Sequence, residues 1–447
     1  MNTMRGRAVV IGGSIAGLAA ARVLADRYAQ VTVLDRDTLP EQPEARRGTP
    51  HSGHAHALLI RGRRTLQQLF PGLDAELLRN GAVSFDPGRD LVFFQMGAPR
   101  IRFDSGMTGI SCTRAFLEQR IRQRVRGLDG VVVEDRTAVV GLTGAPGRVT
   151  GVLLEDGREL PADLVVDATG RSGGRTDRWL TELGCQTPGS EQVKVGVGYT
   201  TRYFSRPPGD TLAGGALLHL LAALPPHDKR AAAAFAVEGD RWIVTLGGWH
   251  GTHAPVDPAG FEKFAAELPD GRIAELLSRA EPLDSGDAEK FTYPAARRRR
   301  FEKLRRPPAG YVAIGDAVCS FNPLYGQGMT TAALEAVALG ECLDRAGGAT
   351  GAMARAYYRK AGRIIDTPWQ LATGGDFFYP ETTGPKAFGT GLVNRYVKQV
   401  LRATHTSVGA HRVMVDVQHM LAPPAVIMRP DRVVRWLLAA RKSPAGR

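Results

Sequence analysis

Ala8-Val9-Val10-Ile11-Gly12-Gly13-Ser14-Ile15-Ala16-Gly17 is a short β-forming run that breaks into glycines, and a helical pattern follows over Leu18 to Tyr28. A second short strand, Val31 to Leu34, ends at Asp35. The order strand, tight turn, helix, strand predicts a βαβ opening of a parallel sheet. Gly12 and Gly17 match the outer glycines of a G-x-G-x-x-G turn, with Ser14 in the middle place. The Ser14 Cβ narrows the approach of a pyrophosphate, Gly13 beside it restores backbone freedom, and the amides opening the helix attract an anion. Asp35 stands 18 residues beyond Gly17 at a strand end, where a carboxylate accepts both hydroxyls of an adenosine ribose. A glycine turn that only packs a helix on a strand is the competing reading at this point.

Two further short apolar runs end in the same way. Leu164 to Val166 leads into Asp167-Ala168-Thr169-Gly170, and Tyr311 to Ile314 into Gly315-Asp316-Ala317. Three strand ends aimed at one ligand explain all three. Leu91 to Phe103, Val193 to Phe204 and Arg241 to Gly247 read as longer alternating strands of an antiparallel sheet outside the parallel core. After Met329 the chain turns helical, over Thr330 to Arg345, Ala352 to Ile365 and Asp431 to Lys442. The expected class is α/β: a Rossmann-like nucleotide-binding domain, an inserted antiparallel-sheet domain and a C-terminal helical region. The boundaries are 1–75, 107–185 and 296–345 for the first, 76–106 and 186–295 for the second, and 346–447 for the third.

The 447 residues suffice for large cores without disulfide or metal staples. Lys and Arg number 58 against 45 Asp and Glu, so the net charge of +13 permits an anionic partner. Aromatic residues are 7% and no basic stretch interleaves with them, which argues against nucleic acid. Cys112, Cys185, Cys319 and Cys342 lack disulfide-framework or zinc-finger spacing, so the expected location is the reducing cytoplasm. Arg5 and Arg7 before the apolar Ala8 to Ala21 run imitate a signal peptide, but the glycines and the strand that follow favour the βαβ reading. No apolar run reaches the length of a membrane span.

Gly315-Asp316 followed by Pro323-Leu324-Tyr325-Gly326-Gln327-Gly328-Met329 makes the set specific. Together with GGSIAG, Asp35, Thr113-Arg114 and Asp167-Ala168-Thr169-Gly170-Arg171, it resembles the FAD-dependent monooxygenases related to p-hydroxybenzoate hydroxylase and squalene epoxidase, through about residue 345. The resemblance implies a glutathione-reductase-type (GR2) fold holding non-covalent FAD. Gly12, Gly13, Ser14, Ile15, Ala16 and Gly17 would lie at the pyrophosphate, Asp35 and Arg36 at the ribose, Arg47 and Arg114 nearer the phosphates and ribityl chain, and Asp316 at a ribityl hydroxyl. Asp167 belongs to the same implied set. Physical reasoning adds Gly326, Gly328 and Met329: their amides and the positive end of the following helix would stabilise an anion at flavin N1 and O2.

Arg47-Gly48-Thr49-Pro50-His51-Ser52-Gly53-His54-Ala55-His56 resembles the R-x-G-x-P-Q-x-x-H-x-H loop of bacterial polyether epoxidases, with His51 where that loop has Gln. A loop beside the flavin, a structural histidine cluster and a metal site are weighed here, and no metal is expected, because no carboxylate or cysteine stands at ligand spacing. Arg297 to Arg300 read as a solvated face or an approach to nucleotide phosphates. Phe94, Met96, Tyr199, Trp242 and Pro323 are candidate substrate contacts, with core packing as the plainer reading of each. In the last helix Val433, Val434, Leu437 and Leu438 form an apolar stripe beside Arg432, Arg435, Arg441 and Lys442, with Trp436 suited to an interface. It either docks on the substrate domain or touches an anionic membrane.

The implied reaction uses NAD(P)H and O2 and proceeds through a flavin C4a-hydroperoxide, with the flavin carrying the chemistry and no side chain assigned as catalytic. A mostly apolar sheet favours epoxidation of an alkene in a polyketide or isoprenoid intermediate of secondary metabolism. Hydroxylation of a phenol is the alternative, and reduction of a prenyl chain without oxygen transfer is a third. A halogenase is disfavoured because no WxWxIP segment occurs. The partners expected are a small apolar substrate (polyene, prenyl or aromatic), O2 and, if electrons are not taken directly from NAD(P)H, a separate flavin reductase.

Overall fold

The computed structural model describes residues 4–171, 173–222 and 224–444. Its centre is a parallel sheet in the order Tyr311–Ala313, Leu164–Asp167, Met4–Ile11, Tyr28–Leu34, Val131–Glu134. Ala8 to Ile11, Val31 to Leu34, Leu164–Asp167 and Tyr311–Ala313 are almost wholly apolar and buried because the middle of the sheet is covered on both faces, while Val132 of the edge strand is exposed. Ile11 sits beside both Asp167 and Leu34, and Asp167 beside Ala313, so the carboxyl ends fall in one row. The first helix, Ile15–Ala25, packs against the long Ala- and Leu-rich helix Gly328–Ala346. It opens three residues earlier than the sequence suggests and ends before Tyr28, which pairs in the second strand.

A mixed eight-stranded sheet runs Cys319–Ser320, Glu289–Arg299, Ser190–Ser205, Arg241–Gly248, Arg230–Val237, Leu218–Ala222, Leu91–Gln95, Ala98–Pro99. Two sequence expectations are corrected in it. Leu91 to Phe103 is not one strand, because Met96 and Gly97 both take positive φ (57° and 90°) and turn the chain into a hairpin. The pairing of Leu91–Gln95 with Leu218–Ala222 is parallel rather than antiparallel. A three-stranded antiparallel sheet over Val139–Ala145, Arg148–Leu154 and Glu159–Pro161, not foreseen from the sequence, packs against the Leu164–Asp167 strand.

The C-terminal helices Gly351–Asp376, Thr390–Ala403, Val408–Gln418 and Pro430–Ala440 close the structure. The last three form a small core of their own with Met96 and Leu224, which lie in loops leaving strands of the eight-stranded sheet. Among the described residues no helix is long and apolar enough to cross a membrane. The architecture is the one the sequence predicts: Rossmann-like parallel sheet, second sheet, helical C-terminus.

Candidate functional site

A cleft of about 480 Å³ opens where the carboxyl ends of the parallel strands line up. That position follows from topology, since the turns leaving those ends, at Gly12, Asp35, Ala168 and Gly315, converge on one crevice. Gly12 is held at φ +109°, and a Cβ there would strike the carbonyl of Ala168. A Cβ on Gly17 would run into the carbonyl of Gly12, so Gly17 brings helix and strand together and does not line the cleft.

Around Asp35 the cleft wall is a buried charge network. Asp35 accepts from the Gly13 amide at 2.8 Å and the Asp37 amide at 2.9 Å. Arg46 lies 3.1 Å from Asp35, 2.9 Å from Asp37 and 2.9 Å from Glu118. The Ser14 hydroxyl donates to Glu118 at 2.6 Å and receives the Arg114 guanidinium at 2.8 Å. Ser14, the odd residue of the glycine turn, thus ties the turn to the helix Arg114–Arg126. Burial pushes the Glu118 carboxyl up, but Arg114 and Arg46 outweigh it and hold it below its ordinary value.

At the other end Asp316, Asn322, Pro323, Gly326, Gln327, Gly328 and Met329 face Tyr199, Phe291, Tyr293 and Phe321 of, or next to, the eight-stranded sheet. Helix Gly328–Ala346 starts here with its orphan amides directed at the cleft rim. Burial raises the Asp316 carboxyl, opposed by Arg171, Arg114 and Arg297. Arg171 is itself stacked on Tyr293, 4.0 Å from the ring centre. His51 and His56 also line this end, while His54 turns to Thr201 at 2.7 Å. Burial lowers His51 to about 3 and His54 to about 4, and drives His56 well below 6.5. Each ring has a neighbour other than a metal: His56 meets the carbonyl of His54, and His51 packs on Phe291.

The loop 322–329 is fastened from behind by a residue of the C-terminal helices. Asp376, fully buried, accepts from Asn322 at 2.7 Å, the Trp249 indole at 2.9 Å and Tyr325 at 3.2 Å. Its second oxygen has no partner, and burial raises the carboxyl to about 7. Nothing in the local sequence around Asp376 signals this role; its partners lie 51 to 127 positions away.

Of the residues singled out from sequence, Gly12, Ser14, Ile15, Ala16, Asp35, Arg36, Arg114, Asp316, Pro323, Gly326, Gly328, Met329 and Tyr199 line the cleft. Gly13 stands just behind it, bonded to Asp35. Several expectations are corrected. Arg47 is exposed and outside the cleft, and the arginine facing Asp35 is Arg46. Asp167 turns away, accepting from Thr169 and from the Tyr311 hydroxyl at 2.8 Å, so it braces the strand end. Trp242 pairs with Phe204, five residues beyond Tyr199, and an odd separation on a strand means the opposite face. It packs in a second core with Phe94, and its indole bonds Asp210 at 2.9 Å. Met96 belongs to the core of the C-terminal helices. The Arg297–Arg300 run is largely internal: Arg298 pairs with Glu302 and Asp366, Arg299 with Asp177, Arg300 with Glu191. Sequence reading missed Arg46, Trp179, Phe291, Tyr293, Asn322 and Gln327 as cleft residues. Three buried polar atoms of cleft residues, Arg114 Nε, Trp179 Nε1 and Gln327 Oε1, have no protein partner.

No family model matches the chain. It is 34% identical over 394 residues to Protein Rv3254 of Mycobacterium tuberculosis (strain ATCC 25618 / H37Rv), covering 84% of this chain and 81% of the relative. A shorter match, 30% over 175 residues, covers 38% of this chain and 25% of the chloroplastic zeaxanthin epoxidase of Oryza sativa subsp. japonica. Among solved structures, PqsL, a probable FAD-dependent monooxygenase from Pseudomonas aeruginosa, superposes with TM-score 0.60 at 18% identity, over 84% of this chain and 97% of its own. The tetrameric form of 2-methyl-3-hydroxypyridine-5-carboxylic acid oxygenase gives 0.61 at 18% identity, over 84% and 91%. The flavin-dependent brominase Bmp2 gives 0.61 at 11% identity over 98% and 99%, so its likeness extends through the C-terminal helices. At such identities the likeness is one of fold.

Proposed function

The chain belongs to the family of Protein Rv3254, and from that premise we propose that it is an FAD-dependent monooxygenase that epoxidises an alkene of a polyketide or isoprenoid intermediate, with NAD(P)H as electron donor. The observation that carries this reading is the single cleft that joins the glycine turn and Asp35 at one end to Asp316, the 326–329 amides and an aromatic wall at the other. The residues suit FAD on two counts: the Gly328–Ala346 helix offers unpaired amides, and Arg114, Trp179 and Gln327 each hold a buried polar atom without a protein partner.

Bound there, FAD supplies two-electron chemistry and the activation of O2. The turn Gly12–Ala16 and the first helix amides would hold its pyrophosphate, Asp35 a ribose and Asp316 a ribityl hydroxyl. The amides of Gly326 to Met329 and the helix behind them would stabilise negative charge on the ring system. Tyr199, Phe291, Tyr293 and Phe321 keep water from the reacting end.

His51, lowered to about 3, and His56, also lowered, stay neutral at pH 7 and are weak bases. A substrate that needs no deprotonation therefore suits this end, which supports the alkene. Hydroxylation of an aromatic ring is the second reading, favoured by Arg171, whose guanidinium in the cleft would hold a phenolate. Oxygen uptake with NAD(P)H, measured on polyene and phenolic candidates with product mass, tests both. A polyene product one oxygen heavier, formed with matching O2 consumption, is expected. Substrate conversion without O2 uptake would replace this reading with a reductase.

A further inference from the structure

We propose that the outer face of the C-terminal helices is a docking surface for an anionic lipid bilayer. The inference stands apart from the flavin reading, since none of the residues it rests on lines the cleft. Among the described residues twelve large apolar side chains are exposed, and eight of them lie between Phe388 and Leu438. Phe388 and Leu392 are 108% and 74% exposed, at the start of the Thr390–Ala403 helix.

The helix Pro430–Ala440 has two faces. Trp436 and Ala440 point inward and close the small core with Val400, Met414 and Ile427. Val434, Leu437 and Leu438 point outward, 64%, 40% and 54% exposed, and with Arg441 they fall at i, i+3, i+4 and i+7, one continuous stripe. Thus Trp436, read from sequence as an interface residue, is spent on holding the helix to its own chain, and the aliphatic stripe is left outside. The helix lies beside Thr390–Ala403, with Tyr396 bonded to the Ile427 carbonyl and Thr406 to that of Ala439.

Charge selects the occupant. From Lys386 to Lys442 there are ten Lys and Arg against two Asp, so this segment holds most of the excess positive charge of the chain. Arg435, Arg441 and Lys442 border the stripe, are exposed, and make no ion pair among the described residues. A second copy of the chain would bring like charge against like charge. A nucleic acid would leave Val434, Leu437 and Leu438 in water. An anionic membrane satisfies both features at once: the aliphatic stripe enters the acyl boundary and the flanking guanidinium and ammonium groups meet the headgroups.

The test is co-sedimentation of the full-length protein with vesicles of phosphatidylcholine alone or mixed with phosphatidylglycerol. Binding to the mixed vesicles only, weakened by salt, is expected. Val434→Glu with Leu438→Glu, and separately Arg435→Glu with Arg441→Glu, should each lower it by about tenfold or more, with melting temperature and near-ultraviolet circular dichroism unchanged because these side chains are exposed. No binding to the mixed vesicles, or equal binding by the Val434→Glu/Leu438→Glu variant, overturns the proposal. A dimer in sedimentation velocity that this variant abolishes, without vesicle binding, would give the face to a second copy instead.

Discussion

At the Asp35 end of the cleft, the wall is built largely from backbone turns and from Ser14, Asp35 and Arg46, all within the first fifty residues and backed by Asp37, while Arg114, Glu118 behind it and the 137–139 segment arrive from farther on. At the aromatic end, Tyr199, Phe291 and Asp316 come from three distant parts of the chain, and the loop 322–329 is held by Asp376 from the C-terminal helices. The first end is built from backbone geometry and charge pairing, the second from side chains on strands that only tertiary pairing brings together. Damage at the first should therefore appear in folding and cofactor retention, and damage at the second in turnover.

The largest effect is expected for Gly17→Val, which drives a side chain into the Gly12 carbonyl at the helix–strand junction. A loss of about 4 kcal/mol or more, seen as failure to fold or a collapsed thermal melt, follows from overpacking of main chain against main chain. Next comes Arg46→Ala. It leaves Asp35, Asp37 and Glu118 facing one another in a buried site and should cost about 3 to 5 kcal/mol in denaturant unfolding, whereas Arg47→Ala should change neither stability nor cofactor content. If the two variants behave alike, the charge network is not what shapes this end.

Asp376→Ala strands the Trp249, Asn322 and Tyr325 donors and should cost roughly 2 to 3 kcal/mol. Flavin should be retained while turnover falls, since the loop is loosened but the Asp35 network is untouched. Loss of flavin with unchanged turnover per bound flavin would contradict the division between the two ends.

The smallest effect is in pH. His51, His54, His411 and His419 are lowered from 6.5 to between about 3 and 4, so the unfolded chain binds more protons below pH 6.5 and stability falls as pH drops through that range. Asp376, raised to about 7, and Glu335, raised to about 8, act oppositely: the folded state holds those protons, and stability declines as pH rises toward 8. Thermal melts across pH 5 to 8 should peak at about pH 6.5, with the acid side the steeper.

The same contrast explains what the sequence made legible. Gly12, Gly17 and Asp35 are readable because a turn, a helix start and a strand end lie together in the chain, and Asp316 because its glycine neighbours mark another strand end. Arg46 was legible as well: counted back from Pro50 and Gly48, the R-x-G-x-P spacing puts its arginine at 46, one place before the Arg47 chosen from sequence. Trp242 and Tyr199 sit on opposite faces through a pairing register the sequence does not specify, and Met96 was drawn into the C-terminal core by a two-residue turn. Asp376 was invisible because the amphipathic pattern in the sequence was followed only from Ala352 to Ile365, whereas the helix runs on to Asp376.

The central claim, that one cleft holds FAD by the glycine turn, Asp35 and Asp316, is tested most directly by the absorption spectrum of the purified protein before and after heat denaturation. The account predicts a flavin spectrum on the folded chain and free FAD in the supernatant once it unfolds. A colourless protein that takes up no added FAD, or flavin that stays on the unfolded chain, would contradict it.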